Sequence, residues 1–109
     1  MSKLRESARG EMCLIRLPGV CNYDTATTVL CHANGSAAGK GIGMKSPDVL
    51  GAIGCFACHS VVDRLVPLPD GLTRDGVQLA FWQGHARTVR FWIEKGLIVI
   101  DRGTVRVAA

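Results

Sequence analysis

Cys55, Cys58 and His59 fall within the run Cys55-Phe56-Ala57-Cys58-His59, and Asp63 follows four residues after the histidine. A Cys-x-x-Cys pair is half of a zinc site, because two intervening residues let one turn of chain offer both thiolates to a tetrahedral ion. A second pair, Cys13 and Cys21, lies far upstream, and the Pro18-Gly19 turn between them folds one cysteine back toward the other. One ion shared by both pairs would clamp two distant segments, and its binding would add directly to folding. Seven residues separate Cys13 from Cys21, more than a usual zinc knuckle carries. The alternative for that pair is burial as two small apolar side chains.

His59 and Asp63 are spaced i, i+4, so on a helix they share a face. Together they could hold one divalent metal and leave most of its coordination sphere to water and phosphate oxygens. The alternative is a histidine packed beside the zinc site and an ordinary surface aspartate. His32 ends a threonine-rich stretch; an imidazole, with its ordinary pKa of about 6.5, suits a general base that takes a proton from water. A lone histidine on a strand is otherwise structural. Cys31 either packs beside His32 or joins a metal.

The whole chain bounds these readings. It has 109 residues, which fits one domain and hardly two. A hydrophobic fraction of 48% argues against disorder, while 6% aromatics imply a modest, aliphatic core that a metal clamp would help most. No apolar run approaches the roughly 18 residues needed to cross a bilayer. The first residues, Met1-Ser2-Lys3-Leu4-Arg5-Glu6, are charged and lack the apolar region of a signal peptide, so a cytoplasmic location is expected. Five cysteines in such a location read as metal ligands before disulfides. Four thiolates and one zinc would bring the formal charge from +4 to about +2, compatible with nucleic acid without demanding it.

Secondary structure must place the candidate groups. Leu4 to Arg9 predicts a short helix, capped by Ser2 and stopped by Gly10. The β-branched run within Thr25 to His32 predicts a strand ending at His32. Residues 33–45 carry four glycines and read as a loop, without the Gly-Lys-Ser/Thr ending of a phosphate-binding P-loop. Ser46 and Pro47 mark a helix start, and Val49 to Gly54 is either a short helix or an extended approach to Cys55. A helix is expected from Phe56 to about Leu65, and a long one from Arg74 to Lys95. In the long helix Leu79, Trp82, Ala86, Val89 and Ile93 form an apolar stripe expected to cover the core, with Trp82 and Trp92 packed inside and His85 beside them. Gly96 stops it, and residues 97–100 and 104–107 flank Asp101-Arg102-Gly103 as a β-hairpin.

Cys-x7-Cys, a strand ending in His, a glycine-rich loop, Ser-Pro-Asp and then Cys-x-x-Cys-His-x3-Asp, in that order, resemble the HNH-type nuclease fold. The order is similar in particular to the YbcO-like family of small lambdoid-prophage nucleases. The resemblance runs from about Leu4 to Asp63 and, more weakly, through Ala86-Arg87-Thr88 to Gly96. It implies a small α+β fold: a zinc-stabilised ββα-metal (HNH-like, treble-clef) core over about residues 10–66, then a long helix and hairpin over about 73–108, all one domain across 1–109. His32 would stand opposite His59 and act as general base. His59 and Asp63 would hold a catalytic divalent metal, Mg²⁺ or another, that stabilises the departing 3′ oxygen. Cys13, Cys21, Cys55 and Cys58 would hold structural zinc. Three positions differ from the wider HNH pattern: Cys31 precedes the base where an acidic or imidazole ligand is common, the middle Asn is replaced (Asp48 is the nearest candidate, Asn34 a poorer one), and Asp63 stands as the last ligand.

The expected function is therefore a metal-dependent DNA endonuclease of phage or prophage origin, working in the bacterial cytoplasm. The competing reading is a non-catalytic, zinc-stabilised DNA-binding module in which Lys3, Arg5, Arg9, Lys40 and Lys45 contact phosphates. DNA is the expected partner, with no membrane and no haem. A homodimer would be a simple route to cutting both strands. Cys55-Phe56-Ala57-Cys58-His59 also matches the c-type haem attachment motif, but that chemistry needs export, and haem would leave Cys13 and Cys21 unexplained. Thioredoxin-like redox use is equally weak, because no βαβ pattern precedes the pair.

Overall fold

The computed structural model describes residues 2–34 and 47–108. The glycine-rich stretch, the Ser46 cap and the two lysines Lys40 and Lys45 lie outside those residues. Helix α1 spans Lys3–Ser7, and Ser2 Oγ accepts the Arg5 N–H at 3.2 Å, as the capping pattern predicts. The chain then turns through Gly10 at φ +74°, a left-handed conformation that glycine adopts without cost.

The expected strand over 25–32 is shorter than its β-branched content suggests. Asp24 accepts the Ala26 N–H at 3.0 Å, and Asn22 accepts the Asp24 N–H at 2.8 Å. These side chains offer the backbone a turn in place of a ladder, so Thr25–Thr27 form one turn of 3-10 helix. Strand β1 covers only Val29–Cys31. It pairs antiparallel with β2, Ala52–Gly54, in the register Val29↔Gly54, Leu30↔Ile53, Cys31↔Ala52. The two alternatives for 49–54 are thus divided along the chain: Asp48–Leu50 makes a 3-10 turn, and β2 follows extended. Helix α2, Phe56–Val62, leaves directly from β2 and stops three residues earlier than expected.

Helix α3 spans Arg74–Glu94, capped by Thr73 Oγ1, which accepts the Gly76 N–H. Its buried residues are Val77, Phe81, Gly84, Thr88 and Trp92. Most of the predicted core stripe is on the other side, and only Val89 of it packs against the core. Leu79 is 60% exposed, Ile93 44% and Trp82 38%, and only Trp92 of the two tryptophans is in the core. On a wheel of 3.6 residues per turn the stripe lies roughly 140° from the buried face. Two close approaches decide which face turns inward. The Thr88 hydroxyl donates to Gly84 O at 2.7 Å and accepts the Ile53 N–H at 2.9 Å, which locks β2 onto the helix. Gly84 lets the backbone of Leu14 and Ile15 touch the helix directly. His85 packs as expected and reaches Gly51 O at 2.7 Å.

The other edge of β2 is held as well, since Leu14 N–H donates to Ile53 O at 2.9 Å. Trp92 Nε1 donates to Ser7 Oγ at 2.8 Å, which ties the end of α3 to α1. Strands β3, Ile98–Asp101, and β4, Thr104–Val107, form the predicted hairpin, with Arg102 and Gly103 both at positive φ in the turn. Among the described residues no helix is long and apolar enough to cross a membrane.

Gly84 gives a test whose sign separates two effects. In a helix interior Gly→Ala gains roughly 1 kcal/mol of propensity, but a Cβ at Gly84 would sit 2.9 Å from both Ile15 Cα and Leu14 O. Backbone atoms cannot move aside cheaply, so Gly84→Ala should lose about 1–3 kcal/mol in a denaturant titration. An alanine variant as stable as the parent would show that the strand and helix do not meet there.

Candidate metal centre and active site

The Sγ atoms of Cys13, Cys21, Cys55 and Cys58 all lie within 4.8 Å of one another. Cys55 and Cys58 come from the β2–α2 junction, where Cys55 is the helix cap and its sulfur accepts the Cys58 N–H at 3.4 Å. Cys13 and Cys21 come from the Pro-Gly turn, where the Cys21 N–H donates to Leu17 O at 3.0 Å and the Arg16 N–H donates to the Cys13 sulfur at 3.4 Å. All the cysteines are free thiols, and the Cys55–Cys21 sulfur separation is 3.9 Å. A disulfide needs about 2.05 Å, whereas four sulfurs at about 2.3 Å from a tetrahedral ion stand roughly 3.8 Å apart. The donor set therefore fits a metal ion such as zinc, which would bind at these four sulfurs.

The electrostatics agree with that fit. The Cys58 thiol donates to Cys13 and, with the Arg16 N–H, pulls the Cys13 pKa down to about 4 against the opposing effect of burial. Cys58, holding the shared proton, is pushed up by that same bond and by burial. Burial and the charge on Cys13 push Cys21 up to about 11. One thiolate is favoured and its neighbours resist, because like charges this close need a cation to ionise together. Cys31 stands apart from the cluster. It is fully buried, burial first and nearby Asp63 second push its thiol up, and it packs against Gly54.

Each candidate histidine is placed against a carboxylate. His32, immediately after β1, lies with Nε2 at 2.6 Å from Asp48 Oδ1. Asp48 also accepts from Ser2 Oγ at 2.6 Å and from Arg5 Nε at 3.2 Å. Burial would raise the Asp48 carboxyl, but the bonds from Ser2, His32 and Arg5, with the Arg5 charge, outweigh it and hold it below the usual carboxylate value. His59 Nε2 lies 2.7 Å from Asp63 Oδ2, one helical turn on. Asn34 Nδ2 donates to the other Asp63 oxygen at 3.0 Å. Asn34, which contacts Asp63, is two residues from His32 along the chain, a span of at most about 7 Å. A cavity of about 490 Å³ opens beside Asp63, lined by Asn34, Val62, Asp63, Arg64 and Gln78; His32, Asp48 and His59 are not among its lining residues.

Two of these contacts are absent from the motif reading. Ser2 and Arg5 enter the sequence only as a cap and a phosphate-binding cation, yet both hold Asp48. No sequence signal links positions 46 or 43 residues apart. Asn34, the weaker candidate for the missing middle Asn, contacts the Asp63 pair, and Asp48 contacts the base candidate.

The sulfur cluster and the Asp48 network each generate a measurement. Apparent zinc binding in small modules is worth about 10–16 kcal/mol, comparable with a whole domain's stability of about 5–15 kcal/mol. The purified chain should hold one zinc by native mass spectrometry, and Cys58→Ser should lose it and unfold, while Cys31→Ala keeps it. Retention of zinc by Cys58→Ser would remove that sulfur from the site. Since the folded Asp48 carboxyl lies below its unfolded value, its contribution is present above about pH 4 and lost as pH falls through the folded value. Asp48→Asn should thus cost about 1–2 kcal/mol at pH 7, and the gap to the parent should narrow in acid. A gap that is constant with pH would assign the loss to packing.

Comparison with known proteins places this arrangement in a family. A family model described as "Putative nuclease YbcO" matches residues 2–97. The chain is 39% identical over 98 residues to the Escherichia coli (strain K12) protein named "Putative nuclease YbcO", covering 90% of this chain and 98% of the relative. A protein of the same name from Enterobacteria phage 82 matches with the same identity and coverage. A solved structure described as a "putative bacteriophage protein" from Escherichia coli superposes with a TM-score of 0.68 at 34% identity, covering 86% of this chain and all of the other. By the span of the model and the identity to these relatives, the chain belongs to the YbcO family, whose model is described as "Putative nuclease YbcO".

Proposed function

We propose that the chain is a DNA endonuclease of HNH type, one domain across 1–109 with a treble-clef zinc core, encoded by a phage or prophage and acting in the bacterial cytoplasm. The observation that carries the reading is the 2.6 Å contact between His32 and an Asp48 that is itself held by Arg5 and Ser2. A carboxylate fixed from two sides is a good orienter: it accepts the Nε2 proton, sets the tautomer and leaves Nδ1 as the proton acceptor for a water. As that water attacks phosphorus, the imidazolium that forms is stabilised by the Asp48 charge.

His59 and Asp63 are the proposed ligands of a second, divalent ion such as Mg²⁺. Two adjacent ligands about 2.1 Å from one octahedral ion stand about 3 Å apart, and the 2.7 Å between His59 Nε2 and Asp63 Oδ2 is within a few tenths of that. When bound, such an ion supplies a Lewis acid for the departing 3′ oxygen. Asn34 fixes the Asp63 carboxylate through its second oxygen, so the carboxylate keeps its orientation when His59 turns toward an ion. The four cysteines serve structure in this scheme, holding the β2–α2 corner on which His59 stands.

The expected result is nicking of supercoiled plasmid with Mg²⁺, Mn²⁺ or Ni²⁺, and a loss of roughly 10²-fold or more in His32→Ala with zinc content unchanged. Equal rates in the variant would rule out His32 as the base. Binding of DNA by the parent chain without any nicking would move it to the non-catalytic DNA-binding class.

A further inference from the structure

We propose that Arg64 is a phosphate-binding residue at the mouth of the Asp63 cavity, gripping the DNA backbone beside the reacting phosphodiester; the choice of ligand rests on the nuclease reading above. Helix α2 ends on two paired backbone bonds. Leu65 N–H donates to Ser60 O at 2.9 Å and Arg64 N–H to Val61 O at 3.2 Å. This is the paired bonding of a Schellman stop, with Arg64 at the position that turns left-handed. That position favours glycine, or asparagine second, because a Cβ there crowds the backbone. The chain instead holds an arginine at φ +58°.

The turn accounts for the backbone but not for the side chain. Arg16 is also left-handed, at φ +58°, but its Nε donates to Cys13 O at 3.3 Å within the metal knuckle. Arg102 occupies the β3–β4 hairpin turn. Arg64 is exposed, and among the described residues no hydrogen bond or ion pair occupies its guanidinium. It lines the 490 Å³ cavity together with Asp63 and Asn34, the two residues joined at 3.0 Å. An unengaged guanidinium there offers planar, paired N–H donors that match two phosphate oxygens. A glycine would end α2 with less strain and offer no cation.

The test uses the zinc-loaded full chain, a labelled DNA duplex and no added divalent cation, so that nothing is cut. Arg64→Gly should melt roughly 2–6 °C higher than the parent. It should also bind the duplex roughly tenfold more weakly at about 0.1 M salt, with a slope of log K against log[salt] shallower by about 0.9, one phosphate contact. Arg64→Lys should keep the slope. A lower melting temperature in Arg64→Gly would mean that the arginine serves the helix end, and an unchanged slope would mean that it meets no phosphate. A parent chain that binds no duplex overturns the proposal too. Failure of the nuclease reading is read separately: binding with the predicted slopes but no plasmid nicking leaves Arg64 in place, whereas nicking with an unchanged slope removes Arg64 alone.

Discussion

The convergence of four sulfurs from two segments is the constraint on which the rest of this molecule depends. The strands beside it are three residues each, too short to stand as an independent sheet. Helix α2 has seven residues, well below the length at which an isolated helix holds in water. What fixes them is their junction. Cys55 ends the approach from β2 and begins α2, Cys58 sits in its first turn, and Cys13 and Cys21 bring the preceding knuckle against them. His59 follows Cys58 directly, so its placement is a consequence of where the sulfurs meet.

A second layer of organisation comes from the chain's first residues. Helix α1 closes over the β1 side of the molecule, and its Ser2 and Arg5 side chains converge on Asp48. Asp48 in turn holds His32. The short helix therefore helps keep the Asp48 carboxyl ionised, as well as contributing Leu4 to the core. Its far side is anchored by the Ser7–Trp92 bond, so that the end of α3 bears on the same network. Few of these contacts are local, which suits a small domain with so little regular structure.

The clustered cysteines and the His59–Asp63 contact were legible in the sequence because their spacing is local. Cys55 and Cys58, His59 and Asp63, and the Pro-Gly turn between Cys13 and Cys21 all declare themselves within a few positions. The capped start of α1, the boundaries of α3 and the hairpin at 97–107 were legible for the same reason, through caps and turn residues, whereas α1 ends at Ser7, short of the expected Arg9. The orientation of α3 was not. Its apolar residues occupy two faces, and the more regular one (Leu79, Trp82, Ala86, Val89, Ile93) points mostly outward, with only Val89 of the five packed against the core. The inner face includes Gly84 and Thr88, which no hydrophobic pattern counts as core. Gly84 is inside because Leu14 and Ile15 touch it, and Thr88 because Ile53 needs a partner for its N–H. Both reasons are tertiary. The Asp24 and Asn22 side chains that shorten β1 were visible, but the β-branched run after them gave the stronger signal.

Zinc-edge X-ray absorption on the purified chain measures the central constraint most directly, because it reads the ion's immediate neighbours. The arrangement of Cys13, Cys21, Cys55 and Cys58 predicts a single shell of four sulfurs at about 2.3 Å. A shell containing nitrogen or oxygen at about 2.0–2.1 Å, or a chain that folds and carries no metal, would contradict it.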